Sequence, residues 1–362
     1  MAKSPYSFAP DRSFWSRSVA RRFDPAALVA APAKLLRRGD RVMSAGSCFA
    51  ANIVPYLEKS GFHYIRTETR HPLTRVPAEN FGYDNFSASY GNIYTARQLL
   101  QLLRRALNLW QPKEHAWEID GEFIDPFRPG LRYRARSRTE FDLLTRQHLN
   151  CVRQAFEDAT VFVFTLGLTE AWVSRADGAV FPACPGTVAG EFDASRHGFL
   201  NMSVSEVVAD VNEFIREARK LNSRLRIILT VSPVPLVATA TGGHVLTASI
   251  YSKSVLRVAV DEVVRNNEDV AYFPAYEIVT GPQAPWEFFE ADRRNVSKAA
   301  VETVISALLA NCEVVECVAP QSMAPPASQP AFAPEAHRGQ ALSQMIAMVE
   351  CEEAMADVPA ED

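Results

Sequence analysis

The sequence predicts an α/β fold, a three-layer αβα sandwich around a parallel sheet. The run Val161-Phe162-Val163-Phe164 is apolar on both faces, and Leu225 to Val231 reads as a second buried strand; strands covered on both sides belong inside a parallel sheet. Stretches with apolar residues at helical spacing lie between such runs, so strand and helix alternate as a parallel sheet requires. The strand ends lead into loops that carry Ser47, Gly167, Ser232 and Asp292. In folds of this kind the working loops gather at the carboxyl edge of the sheet.

Residues 1–40 combine Pro, Ala and Arg with scattered rings (Tyr6, Phe8, Phe14, Trp15, Phe23) and show no period. They read as an arm held to the domain by those aromatics. The domain itself is predicted over 41–312. Its first strand, from Val42, turns at Gly46-Ser47 into a helix with Ala50, Ile53, Val54 and Leu57 on one face, kinked at Pro55 and stopped at Gly61. Phe62 to Ile65 is the next strand. Residues 66–93 form a loop long enough to suggest function. Thr95 and Gln98 then make a capping box for a helix faced by Leu99, Leu102, Leu103, Ala106 and Leu107.

Asp120-Gly121 signals a tight hairpin turn. An inserted hairpin is therefore predicted over about 115–138, with Arg132, Arg134, Arg136 and Arg138 at strand period on one solvated face. A long helix runs from Thr139 through Phe141, Leu144, Val152 and Phe156. The stretch from Pro182 to Gly198 reads as a loop over the sheet end. Ser203 and Glu206 form a capping box before a wide stripe of Val207, Val211, Phe214 and Ala218. Ser252 is expected to cap a helix through Val255, Leu256, Ala259 and Val263. Val270 to Phe273 is the last strand, and Ser297 caps the last helix.

Beyond the domain, residues 313–340 are rich in Pro, Ala, Ser and Gln and read as a disordered linker. Residues 341–362 form an acidic tail in which Leu342, Met345, Ile346 and Val349 keep helical spacing, a surface for docking back, dimerising or binding a partner.

The net charge of −4 argues against a protein that tracks phosphates, so no nucleic-acid partner is expected. No apolar run is long enough to cross a bilayer and no secretory leader is evident, which places the protein in the cytoplasm with no membrane partner. The six cysteines (Cys48, Cys151, Cys184, Cys312, Cys317 and Cys351) show no CxxC spacing, so they read as reduced thiols. Neither a metal nor an organic cofactor is expected, because no ligand spacing appears.

Ser47 carries the chemical argument. A hydroxyl exposed at the carboxyl end of a buried strand, beside the unpaired N–H groups of a helix start, can attack an acyl carbon while those groups stabilise the anion that forms. The competing reading gives Gly46 the turn and Ser47 only the helix cap. The surrounding run, Gly46-Ser47-Cys48-Phe49-Ala50, spells GSCFA. After it come Gly91-Asn92-Ile93-Tyr94, Asp125-Pro126-Phe127-Arg128-Pro129, Thr165-Leu166-Gly167-Leu168-Thr169-Glu170, Val231-Ser232-Pro233-Val234, Tyr251-Ser252-Lys253-Ser254 and Asp292-Arg293-Arg294-Asn295. In this series and order, the chain resembles the bacterial GSCFA family, which is similar to the SGNH or GDSL-type hydrolases, up to about residue 311.

The resemblance implies a flavodoxin-like, SGNH-type sheet and acyl-ester chemistry, by an esterase or an O-acyltransferase, on a carbohydrate or related hydroxylated small molecule. It makes Ser47 the nucleophile, with its own N–H and that of Gly91 as oxyanion donors, and Asp292 the acidic partner. Two positions depart from the pattern. The asparagine that should donate to the oxyanion is Thr169, and the histidine of the Asp-x-x-His block is Asn295, whose amide cannot accept a proton at neutral pH. Three readings follow: His244 or His197 substitutes as the base; acyl transfer proceeds slowly with Asp292 acting on the serine hydroxyl; or turnover is lost and the site binds a glycan or other partner.

Overall fold

The computed structural model describes residues 4–30, 33–68, 86–131 and 133–313. The predicted linker from residue 314, the acidic tail, Arg132 and the middle of the 66–93 loop lie outside the described residues. In chain order the strands are β1 Arg41–Gly46, β2 His63–Tyr64, β3 Trp117–Ile119, β4 Glu122–Ile124, β5 Val161–Leu166, β6 Glu170–Ser174, β7 Val180–Phe181, β8 His197–Asn201, β9 Arg226–Val231 and β10 Val270–Tyr272. The helices are α1 Trp15–Ser18, α2 Cys48–Ala51, α3 Val54–Lys59, α4 Ala96–Ala106, α5 Arg138–Asp158, α6 Val204–Leu221, α7 Val245–Asn266, α8 Ala275–Thr280 and α9 Lys298–Ala310. Among the described residues no helix is long and apolar enough to cross a membrane.

Five parallel strands form the central sheet in the order β10-β9-β5-β1-β2. Counted along the chain this is 2-1-3-4-5, the flavodoxin-like order, whose switch point falls between β1 and β5. Side chains alternate across the sheet. Met43, Ala45, Phe162, Phe164, Ile227 and Leu229 enter a core shared with α4, α5, α6 and α7. Val42, Val161, Val163 and Ile228 enter the opposite core with α2, α3, α8 and α9. Burial on both faces explains why these strands read as continuous apolar runs. In the first core Phe156, Phe162 and Phe214 meet edge-on or tilted at 5.2–5.7 Å between centroids.

Several local expectations change in the folded chain. Of the arm's rings, Tyr6 and Trp15 are exposed and Phe14 and Phe23 are half-buried, while Leu35 and Leu36 are buried in the core that includes α9, with Leu35 N donating to Asn311 O at 2.9 Å. The hairpin at Asp120-Gly121 forms as β3 and β4, with positive φ at both turn residues. Its arginine face does not extend as a strand: among the described residues only Ala135 bridges to Phe123, and Arg138 already starts α5. Between β5 and α6 the chain builds a separate antiparallel sheet, β7-β6-β8, and the loop expected over Pro182 to Gly198 joins β7 to β8, which begins at His197.

Caps also differ. Ser203 makes both bonds of its capping box. At Thr95 only half of the box forms, because the Gln98 carboxamide reaches further back, accepting from Tyr94 N at 3.0 Å and donating to Asn92 O at 2.9 Å. The helix expected to start at Ser252 starts earlier, at Val245, with His244 as its N-cap. Ser252 lies buried inside α7. Its hydroxyl is bonded outside the helix, accepting from Thr169 N at 3.0 Å in the turn after β5.

Candidate functional site

Three strand ends meet at the switch point. β1 runs into Gly46-Ser47, β5 into Gly167-Leu168-Thr169, and β9 into Ser232-Pro233. Gly46 is required by close approach: a Cβ there would stand 2.7 Å from Thr165 Cβ and 2.9 Å from Ala50 Cβ. With that contact free, α2 starts directly at the strand end and Ser47 becomes its N-cap residue. Its side chain makes no cap bond, so the plain capping reading fails; Oγ instead donates to Ser232 Oγ at 3.5 Å across the end of β5. Ser47 is only 3% exposed, whereas the sequence suggested a hydroxyl standing open at the sheet rim.

The Gly91 loop lies against this turn because Ile93 N donates to Gly46 O at 2.8 Å. Gly91 takes φ +68°, a left-handed conformation that suits glycine. Among the described residues, neither the Ser47 N–H nor the Gly91 N–H donates a hydrogen bond. One of these donors belongs to Ser47 itself and the other to the loop that is bonded to its turn.

Other predicted groups are turned elsewhere. Thr169 is fully buried, its hydroxyl donating to Asn201 Oδ1 at 2.7 Å and its N–H to Ser252 Oγ, so it has no donor left for an oxyanion. Gly167 N and Leu168 N both donate to Tyr94 O. Lys253, 3% exposed, donates from Nζ to Gly167 O at 2.6 Å. Ser252 and Lys253 thus hold the N–H and C=O sides of one turn from α7.

Asp292 and Asn295 are exposed on the turn before α9 and bonded to each other, Asn295 Nδ2 donating to Asp292 Oδ2 at 2.6 Å. The backbone N–H groups of Arg294 and Asn295 also donate to Asp292. Burial raises the Asp292 pKa, but these donors outweigh it and leave the carboxyl below its usual range. Among the described residues no hydrogen bond joins either side chain to Ser47. Neither proposed substitute base bonds to Ser47. His197 is buried on β8, with Nδ1 accepting from Asp193 N at 3.1 Å and Nε2 facing Glu114 at 3.2 Å. His244 is exposed, its Nδ1 accepting from Leu246 N as the α7 cap.

A family model described as the GSCFA family matches residues 41–308. The chain belongs to the GSCFA family. No curated protein matches it. Among solved structures, a carbohydrate esterase family 3 protein from Talaromyces cellulolyticus is similar at TM-score 0.36 and 8% identity, over 74% of this chain and 94% of that one. A mutant acetyl esterase with acetate ion gives 0.35 and 8%, over 74% and 93%. A Clostridium thermocellum family 3 carbohydrate esterase gives 0.32 and 9%, over 74% and 92%. Likeness at this level carries no chemistry across.

In this GSCFA protein a buried ionic cluster supports the Gly91 loop from behind. Glu68 accepts from Ser89 N at 2.8 Å, and Arg128 donates to Ser89 O at 3.3 Å, so both peptide groups of a residue just before Gly91 are held. Arg128 also pairs with Asp125 at 3.0 Å and Glu68 at 3.4 Å, and Arg105 stands 3.8 Å from Asp125. His148 Nδ1 lies 2.6 Å from Glu68. Burial alone would raise the Glu68 pKa, but His148, Arg128 and the Ser89 N–H hold it at about 2. Burial, with Arg128, lowers the His148 pKa from its usual value, against the opposing pull of Glu68 and Asp125. A cavity of about 30 Å³ lies beside Glu68, Asp125, Arg128 and Thr145. It is not lined by Ser47.

Nothing in the sequence marked this cluster beyond the Asp125 to Pro129 block, because its members are far apart in the chain. Ser232, Ser252 and Lys253 fall within the family's blocks, yet their partners were not legible there.

Proposed function

We propose that this GSCFA protein carries out acyl-ester chemistry, as an SGNH-like esterase or O-acyltransferase on a carbohydrate or related hydroxylated substrate, with Ser47 as nucleophile. The observation that carries the reading is a serine at the sheet's switch point whose hydroxyl is not used as a cap, with the uncommitted N–H groups of Ser47 and Gly91 at the same junction. In the first step Ser47 Oγ bonds to the acyl carbon, the carbonyl oxygen takes up negative charge, and the alcohol leaves with a proton. Water or an acceptor hydroxyl then takes the acyl group. The Ser47 hydroxyl donates toward Ser232 Oγ, which makes Ser232 the first recipient of its hydrogen bond.

A second reading, a catalytically impaired binding protein, is favoured by one observation: Asn295 stands at the family's histidine position and is bonded to Asp292. Hydrolysis of p-nitrophenyl acetate by wild type and Ser47→Ala separates the two. A slow wild-type rate that Ser47→Ala abolishes supports the esterase reading; equal rates remove Ser47 as nucleophile.

A further inference from the structure

We infer that Asn92 is an oxyanion donor of the Ser47 site, taking the part that Thr169 cannot fill. The inference rests on the esterase reading above. The backbone of Asn92 is fixed at the nucleophile turn: Ile93 N donates to Gly46 O at 2.8 Å, and Asn92 O accepts from Gln98 Nε2 at 2.9 Å. Asn92 follows Gly91, whose N–H is uncommitted, so the two residues present a backbone donor and a side-chain amide in succession.

The side chain is 5% exposed, and its Oδ1 is sealed from solvent without a hydrogen-bond partner. Buried amide groups are nearly always bonded, and an unsatisfied one points to a task or a missing ligand. Among the described residues the carboxamide nitrogen also makes no hydrogen bond, yet it is not sealed as Oδ1 is. The N–H₂ end is therefore the less enclosed of the two. An amide that stabilises nothing in the resting protein can still donate to charge that develops on a carbonyl oxygen. Thr169, at the position where the family pattern has asparagine, has both donors committed to Asn201 and Ser252.

The test measures p-nitrophenyl acetate hydrolysis, labelling by a fluorophosphonate probe, and thermal stability for Asn92→Ala and the isosteric Asn92→Asp. Loss of one oxyanion donor lowers kcat by roughly 10²- to 10³-fold. The expected result is that fall in both variants, with KM within about threefold of wild type by the same argument. The melting temperature of Asn92→Ala should not drop, since no hydrogen bond of the resting protein is removed. A purely structural asparagine would instead lower stability and leave kcat per folded molecule unchanged. Should Asn92→Ala fail to fold, Asn92→Asp decides: full kcat in that variant overturns the inference. Wild type that neither hydrolyses the ester nor takes the probe overturns the esterase reading and this inference together. A labelled, active wild type with undiminished Asn92 variants overturns this inference alone.

Discussion

Arg128→Met tests the support behind the Gly91 loop. The substitution keeps an unbranched side chain of similar reach and removes the guanidinium from between Asp125 and Glu68, all three being nearly inaccessible to solvent. At an effective dielectric of about 20, charges separated by these distances attract by roughly 5 kcal/mol per pair. Removing the water shell of the arginine offsets much of that gain. What the variant exposes is the cost of leaving two buried carboxylates short of a partner, about 3–5 kcal/mol, with Arg105 still near Asp125. Urea unfolding of wild type and variant measures the difference. Adding Asp125→Asn to Arg128→Met should recover about 1–3 kcal/mol, because the two groups interact directly. A single-variant loss below about 1 kcal/mol, with no coupling in the double variant, would refute the account of a tightly paired cluster.

The same cluster makes stability sensitive to acid. Folding lowers the His148 pKa below the roughly 6.5 of the unfolded chain, and Glu68 stays ionised in the fold to about 2 while its unfolded form protonates at about pH 4.3. Both pKa values are depressed by folding, so their stabilisation is present at neutral pH and is lost as pH falls. The melting temperature should decline from about pH 6.5 downward, and His148→Gln should flatten the upper part of that decline. A flat profile from neutrality to mild acid contradicts this. Ser252→Ala leaves the buried Thr169 N–H unpaired and should cost about 1–3 kcal/mol in urea unfolding. Stability equal to wild type would show that the α7 clamp on the β5 turn is dispensable. Asn295→His restores a ring beside Asp292 and should raise ester hydrolysis at least about tenfold. An unchanged rate would mean that this turn does not serve Ser47.

Much of the fold was legible because it depends on local pattern. The apolar run of β5 and the stripes of α4, α5 and α6 are read directly from spacing, and the Gly46-Ser47 turn from residue size. The small sheet β7-β6-β8 was not legible: its strands are short and pair at long range, so neither period nor turn chemistry marks them strongly. In the arm, aromatic content does not say which rings are covered: Trp15 is exposed while Phe14 beside it is half-buried. The cap at Ser252 misled for a related reason, since a serine that bonds a distant turn looks in sequence like one that bonds its own helix.

For the site, sequence alone determined the residue types: a serine after a buried strand, an asparagine where the family has histidine, and the glycines that let loops approach. Tertiary structure decided which groups are committed. It assigned the Thr169 hydroxyl to Asn201, His197 to Glu114 and Asp292 to Asn295, and it left the N–H groups of Ser47 and Gly91 unbonded among the described residues. A hydrogen-bond partner depends on distance and direction between segments far apart in the chain, and neither is written in the local order of residues.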